Sequence, residues 1–346
     1  MTNGLSGPRK QFLDVLRVLA TCAVVLMHVL TGATDVTDAS IMPEYRSLLL
    51  SVMDLVTWCV PIFLLISGYL FLNPERTLTY PVMIKKYCRR IALAILLFGV
   101  PYAASELVVA ERTFRIRMIP EALKMTLTGH TWSHMWYLYL ILFLYLITPL
   151  LKKVLRVLPV WGVAAVMAVI FLGSSVAPFL NKVLDVNSIP VLPDGGVYFL
   201  YYLCGYFFAV REVGVDKGRN VWLTAAVAVL ALGMILSRTL AGFSIQMAYN
   251  YPFTVLLAVL LFAAGWNGSI KKHRIPWQEA GALSFAVYLV HPVYVNLLYK
   301  FVKITPFTVL EQCGVQSVAA GQAVLILLLA AFCLVVLALA TATAWV

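Results

Sequence analysis

Along the chain, apolar runs of about 20 residues alternate with short polar stretches, and no segment keeps the strict apolar/polar alternation of a half-buried strand. Roughly 20 apolar residues in a helix cross a bilayer core. The pattern predicts ten such segments, near 13–31, 48–72, 84–107, 134–151, 154–172, 196–212, 222–240, 250–267, 280–301 and 320–346. The fold expected is an all-α integral membrane protein, a bundle of about ten transmembrane helices. The first segment begins with charge and has no small-residue cleavage site, so a cleaved signal peptide is not expected.

Composition agrees with the pattern. Of the 346 residues 62% are hydrophobic and 12% charged, and the mean hydropathy is +0.92, well above the roughly 45–50% apolar content of a soluble domain. Charge adds an orientation. With a cytoplasmic N-terminus, 17 of the 26 Lys and Arg fall on inner segments. They are Arg9, Lys10, Arg17, Arg76, Lys85, Lys86, Arg89, Arg90, Lys152, Lys153, Arg156, Arg211, Lys217, Arg219, Lys271, Lys272 and Arg274. Positive residues are retained on the cytoplasmic side, so both termini are expected there. The net charge of +11 follows from topology and requires no nucleic-acid partner.

The six cysteines show no CxxC and no His at ligand spacing, so neither a metal site nor a disulfide framework is expected. The chain also has no P-loop and no GxSxG motif. One transmembrane domain over residues 1–346 is predicted. Its last residues, LALATATAWV, lack a basic flank, which suggests a C-terminus cut from a longer protein.

The first segment contains groups that hydrocarbon rejects. LDVLRVLATCAVVLMH, residues 13–28, carries Asp14, Arg17 and His28. Arg17 and His28 are eleven positions apart, and eleven steps of about 100° close three turns to within about 20°. Both therefore lie on one stripe, with Asp14 one turn below Arg17 and Thr21 one turn above it. At about 1.5 Å per residue, His28 sits roughly 16 Å deeper than Arg17. Arg17 can snorkel to the interface and pair with Asp14. His28 could make only one interhelical hydrogen bond, but an intramembrane His more often faces a cavity or a relay, and a mostly neutral imidazole is what a general base requires.

FLDVLRVLATCAVVLMH, residues 12–28, resembles the opening helix of the membrane-bound acyltransferase 3 family. In that family a basic residue and a His separated by ten residues form the signature, and Arg17 and His28 match it. VPIFLLISGYLF (60–71) is similar to the family's second helix. IKKYCRR (84–90) resembles the basic start of the third, with Lys86 and Arg89 in a basic-x-x-basic arrangement where an Arg often stands first. SHMWYLYLILFLYLITPLL (133–151) resembles the His-x-Trp segment and LSFAVYLVHP (283–292) the late Tyr-Leu-x-His-Pro helix. These matches run in order along almost the whole chain.

The resemblance implies transfer of an acyl group, usually acetyl, from cytoplasmic acetyl-coenzyme A to a hydroxyl of a cell-surface carbohydrate, a lipid-linked glycan or a secreted small molecule. Under it His28 is the base or the acyl carrier, with Arg17 and Asp14 beside it. Arg17, Lys86, Arg89 and Arg90 would hold the donor's phosphates, for which Arg is suited; the same cluster could instead anchor anionic membrane lipid. His134, Trp136, Tyr137, His291 and Asp54 are candidate acceptor contacts. The aromatics among them fit an interfacial belt equally well, His291 could make only an interhelical hydrogen bond, and Asp54 could partner His28. The location implied is a cell membrane of the bacterial inner-membrane kind. A secondary transporter, and a membrane module of a larger fused enzyme, are the rival readings.

Overall fold

The computed structural model describes residues 11–37, 42–210, 217–239, 247–267 and 276–345. Arg9, Lys10, Arg211, Lys271, Lys272 and Arg274, assigned above to the cytoplasmic side, lie outside the described residues. In chain order the helices are α1 (Gln11–Val36), α2 (Met42–Val56), α3 (Cys59–Phe71), the short α4 (Tyr80–Val82), α5 (Arg89–Glu111), α6 (Met118–Leu127), α7 (Trp136–Val157), α8 (Val160–Phe171), α9 (Ala177–Leu184), α10 (Gly196–Val210), α11 (Lys217–Thr239), α12 (Pro252–Asn267), α13 (Trp277–Asn296), α14 (Pro306–Gln312) and α15 (Val318–Trp345). Three π-helical turns, Met83–Cys88, Leu172–Val176 and Leu297–Val302, follow α4, α8 and α13. There is no strand among the described residues.

Among the described residues, eight helical stretches are long and apolar enough to cross a membrane. Two shorter apolar helices, α10 and α12, coincide with the sixth and eighth predicted segments. The chain is an all-α, multi-pass membrane protein. The second segment is one continuous apolar stretch in the sequence but is split between α2 and α3 by a turn at Thr57 and Trp58. Pro61 follows in the first turn of α3, and having no amide to donate it favours a helix start there over a helix interior. The Thr57 hydroxyl donates to the Met53 carbonyl (2.7 Å) and the Trp58 indole N–H to that of Leu55 (2.6 Å), occupying carbonyls at the end of α2.

The chain forms two compact units, residues 1–66 with 167–346, and residues 67–166. In the first, α1 packs against α2, α12, α13 and α15, and Ala20, Val25, Val29 and Ala33 are fully buried along it. Small residues bring membrane helices together because the packing of backbones replaces a hydrophobic drive that lipid cannot supply. A methyl at Gly281 would stand 3.0 Å from the Asp14 Cβ, and one at Gly32 would stand 2.9 Å from Val295. These contacts pin α1 and α13 side by side in parallel register. In the second unit α5 packs against α6 and α7, and α7 also meets the π turn Met83–Cys88.

Candidate active site

The α1–α13 seam carries the polar groups that opened the sequence. Arg17 Nη1 donates to Asp14 Oδ1 at 2.8 Å; the Asp14 side chain is 2% exposed and that of Arg17 25%. A carboxylate this buried is tolerated because the guanidinium compensates it. Thr21 Oγ1 donates to the Arg17 carbonyl (2.8 Å), so the stripe inferred from periodicity is a hydrogen-bonded row along α1.

Further along the same seam lies the pairing that the sequence does not display. His28 and His291 meet edge to face, with ring centroids 4.9 Å apart and planes at 68°. His28 Nδ1 lies 2.9 Å from the Val24 carbonyl and His291 Nδ1 lies 3.1 Å from that of Val287. A carbonyl can only accept, so in the neutral form of each ring the proton sits on Nδ1 and the lone pair on Nε2. His28 is half-buried and His291 fully buried. Tyr288 stands one turn before His291 with its ring 6.2 Å away. The Tyr299 hydroxyl donates to the Val29 carbonyl (3.1 Å), and that of Tyr249 to the Met27 side chain at Sδ (3.4 Å), holding the residues on either side of His28.

In the second unit Lys85, Lys86, Arg89 and Arg90 are all exposed. The π turn closes on the Arg89 amide, which donates to the Ile84 carbonyl. Tyr87 anchors it, its ring 4.7 Å from Phe71 and 6.3 Å from Tyr145, and Lys86 Nζ lies 5.5 Å from the centre of the Tyr87 ring. A half-buried aromatic thus backs a cationic face. Elsewhere in this unit Tyr102 and Trp132 stack in parallel with centroids 4.1 Å apart, and His134 lies 5.7 Å and 6.2 Å from them.

A family model described as an acyltransferase domain, of the acyltransferase 3 type, matches residues 10–345. The chain belongs to the acyltransferase 3 family. No curated protein and no solved structure matched it. A membrane acyltransferase therefore carries the histidine pair and the exposed basic turn just described.

Several candidate residues of this acyltransferase stand differently from their sequence reading. Asp54 is no partner of His28. It is paired with Arg238, Oδ2 lying 2.6 Å from Nε, while Oδ1 accepts the Met247 amide at 3.0 Å. Asp54 and Arg238 are 1% and 5% exposed, so the pair is a buried tie between α2 and α11. His134 opens the fourth candidate span, Ser133–Val157, in a 3-10 turn Ser133–Met135, and is buried; Trp136 and Tyr137 open α7 half-buried, with rings 6.2 Å apart and nearly perpendicular. Sequence reading missed Tyr102 and Trp132. Trp132 stands two residues before His134 in HTWSHMW, and that aromatic density was the available signal. Lys152, counted as one of the cytoplasmic cations, is 5% exposed and donates to the Asn73 carbonyl.

Proposed function

We propose that this acyltransferase moves an acetyl group from coenzyme A, supplied from the cytoplasm, to a hydroxyl of a cell-surface carbohydrate or lipid-linked glycan, with His28 as general base. The observation that carries this reading is the 2.9 Å approach of His28 Nδ1 to the Val24 carbonyl. With Nδ1–H tied to the Val24 carbonyl, Nε2 takes the proton of the acceptor hydroxyl as that oxygen attacks the thioester carbonyl. The C–S bond then breaks, and the imidazolium returns the proton to the leaving thiolate. His291, edge-on to the ring and tied to its own helix, acts as a positioning residue that fixes the plane of His28.

Phosphate contacts are assigned to Lys86, Arg89 and Arg90, whose exposure and fixed turn support it. Arg17, oriented by Asp14, is assigned the same chemistry within its own unit. His134, with the Tyr102–Trp132 stack, offers an aromatic face and an imidazole of the kind that sugars use. The experiment is thiol release from acetyl-coenzyme A by membranes with and without the protein, together with mass spectrometry of surface glycans for acetyl esters. Acceptor-dependent thiol release and new esters support the reading; neither, in membranes where the protein is folded, overturns it. Ping-pong kinetics through an acylated enzyme would move the acyl group onto Nε2 itself.

A further inference from the structure

The connection between α5 and α7 departs from the charge bias of the rest of the chain. Residues 111–130 hold Arg112, Arg115, Arg117 and Lys124 against Glu111 and Glu121. They lie at the end of α5 away from Arg89 and Arg90, the outer end in the orientation that charge gives, where the bias depletes cations.

Within this stretch α6 presents three separate faces. Met118, Ala122 and Thr126, at i, i+4 and i+8, are buried. Thr126 fastens the helix: the Tyr139 hydroxyl donates to its carbonyl (2.5 Å), and a methyl at Gly99 would meet its Cγ2 at 2.7 Å. Ile119, Leu123 and Leu127 form a second stripe that is exposed, with Phe114 and Ile116 leading into it. Arg117, Glu121, Lys124 and Thr128 form the third, and with His130 they line an open cavity of about 660 Å³. His130 Nδ1 and Thr128 Oγ1 are 2.9 Å apart, which fixes the imidazole at the rim. An apolar stripe beside a cationic face on one helix is the pattern of an element lying in a membrane interface.

We propose that α6 binds a phosphodiester lipid of the outer leaflet with a hydroxylated headgroup. The phosphate lies against Arg117 and Lys124, and a headgroup hydroxyl donates to Glu121. The acyl chain covers Ile119, Leu123 and Leu127. Arg117 also contacts Glu111 at 3.2 Å, which aims the guanidinium without neutralising the whole basic segment.

The test uses the full chain reconstituted in phosphatidylcholine vesicles containing a small fraction of photoactivatable phosphatidylglycerol, with the labelled peptides mapped by mass spectrometry. Labelling should concentrate in residues 114–130. Juxtamembrane cations attract anionic headgroups, so Arg117→Gln with Lys124→Gln should reduce that labelling by about tenfold or more. Lys153→Gln with Arg156→Gln should leave it unchanged. Soluble glycerol phosphate should not displace the probe, because the chain contributes to its binding. Should Arg117→Gln disturb the fold, Lys124→Gln alone, which touches no ion pair among the described residues, should still reduce labelling several-fold. Equal labelling by a photoactivatable phosphatidylcholine, no change in the variants, or displacement by glycerol phosphate would each overturn the proposal.

Discussion

Asp54 and Arg238 are 184 positions apart and close the most buried ion pair among the described residues. Removing one partner leaves an uncompensated charge away from water, which costs about 3–5 kcal/mol, whereas removing both is far milder. Arg238→Met should therefore lower the melting temperature of the detergent-solubilised protein sharply, and adding Asp54→Asn should recover part of it. Additive losses in a thermal-shift series would show that the two side chains do not act as a pair. At this scale the sequence was legible wherever one helix held both partners. Arg17 with Asp14, and His28 on their stripe, follow from the 3.6-residue period alone. His28 with His291 and Asp54 with Arg238 were hidden because helix packing, not periodicity, brings them together. Lys152 illustrates the same limit from the other side: composition places it among the cytoplasmic cations, while its burial against Asn73 depends on how α7 packs.

Two elements, one in each unit, carry the candidate residues, and each makes its own prediction. The α1–α13 seam depends on Gly281, where a side chain would meet the Asp14 backbone at 3.1 Å. Gly281→Val should force the helices apart at a cost of about 1–3 kcal/mol, lowering both melting temperature and transfer rate by disturbing the histidine contact; unchanged stability and rate would show that the seam has slack. The π turn Met83–Cys88 is the second. Charge reversal at Lys86 and Arg89 should weaken acetyl-coenzyme A binding by tenfold or more if those cations hold phosphate. The fitting control is Lys153 with Arg156, both exposed, since reversal at buried Lys152 would test the fold. Equal losses at both pairs in a donor-binding titration would leave only generic electrostatics. Apolar period and Pro positions revealed the long helices, and each of the ten predicted segments coincides with helix, interrupted at Thr57 and Trp58 in the second and at Leu158 and Pro159 in the fifth. The π turns were not legible, because an i→i+5 bond leaves no composition signature.

On the scale of the whole molecule, apolar composition and positive-inside charge were enough to reach a multi-pass membrane protein, and the match over residues 10–345 places it among the acyltransferases. The division into two units was not legible, since it cuts within apolar helices where hydropathy shows no boundary. The central claim is that a neutral imidazole at His28 performs the proton transfer, and His28→Gln tests it most directly. The amide keeps a hydrogen-bonding side chain but cannot take a proton at neutral pH. The measurement is the acceptor-dependent rate of thiol release from acetyl-coenzyme A by the reconstituted full chain, read beside its donor affinity and melting temperature. The account predicts a loss of about 10²–10⁴ in rate with donor affinity and melting temperature unchanged; a folded His28→Gln protein that transfers acetyl at close to the parental rate would contradict it.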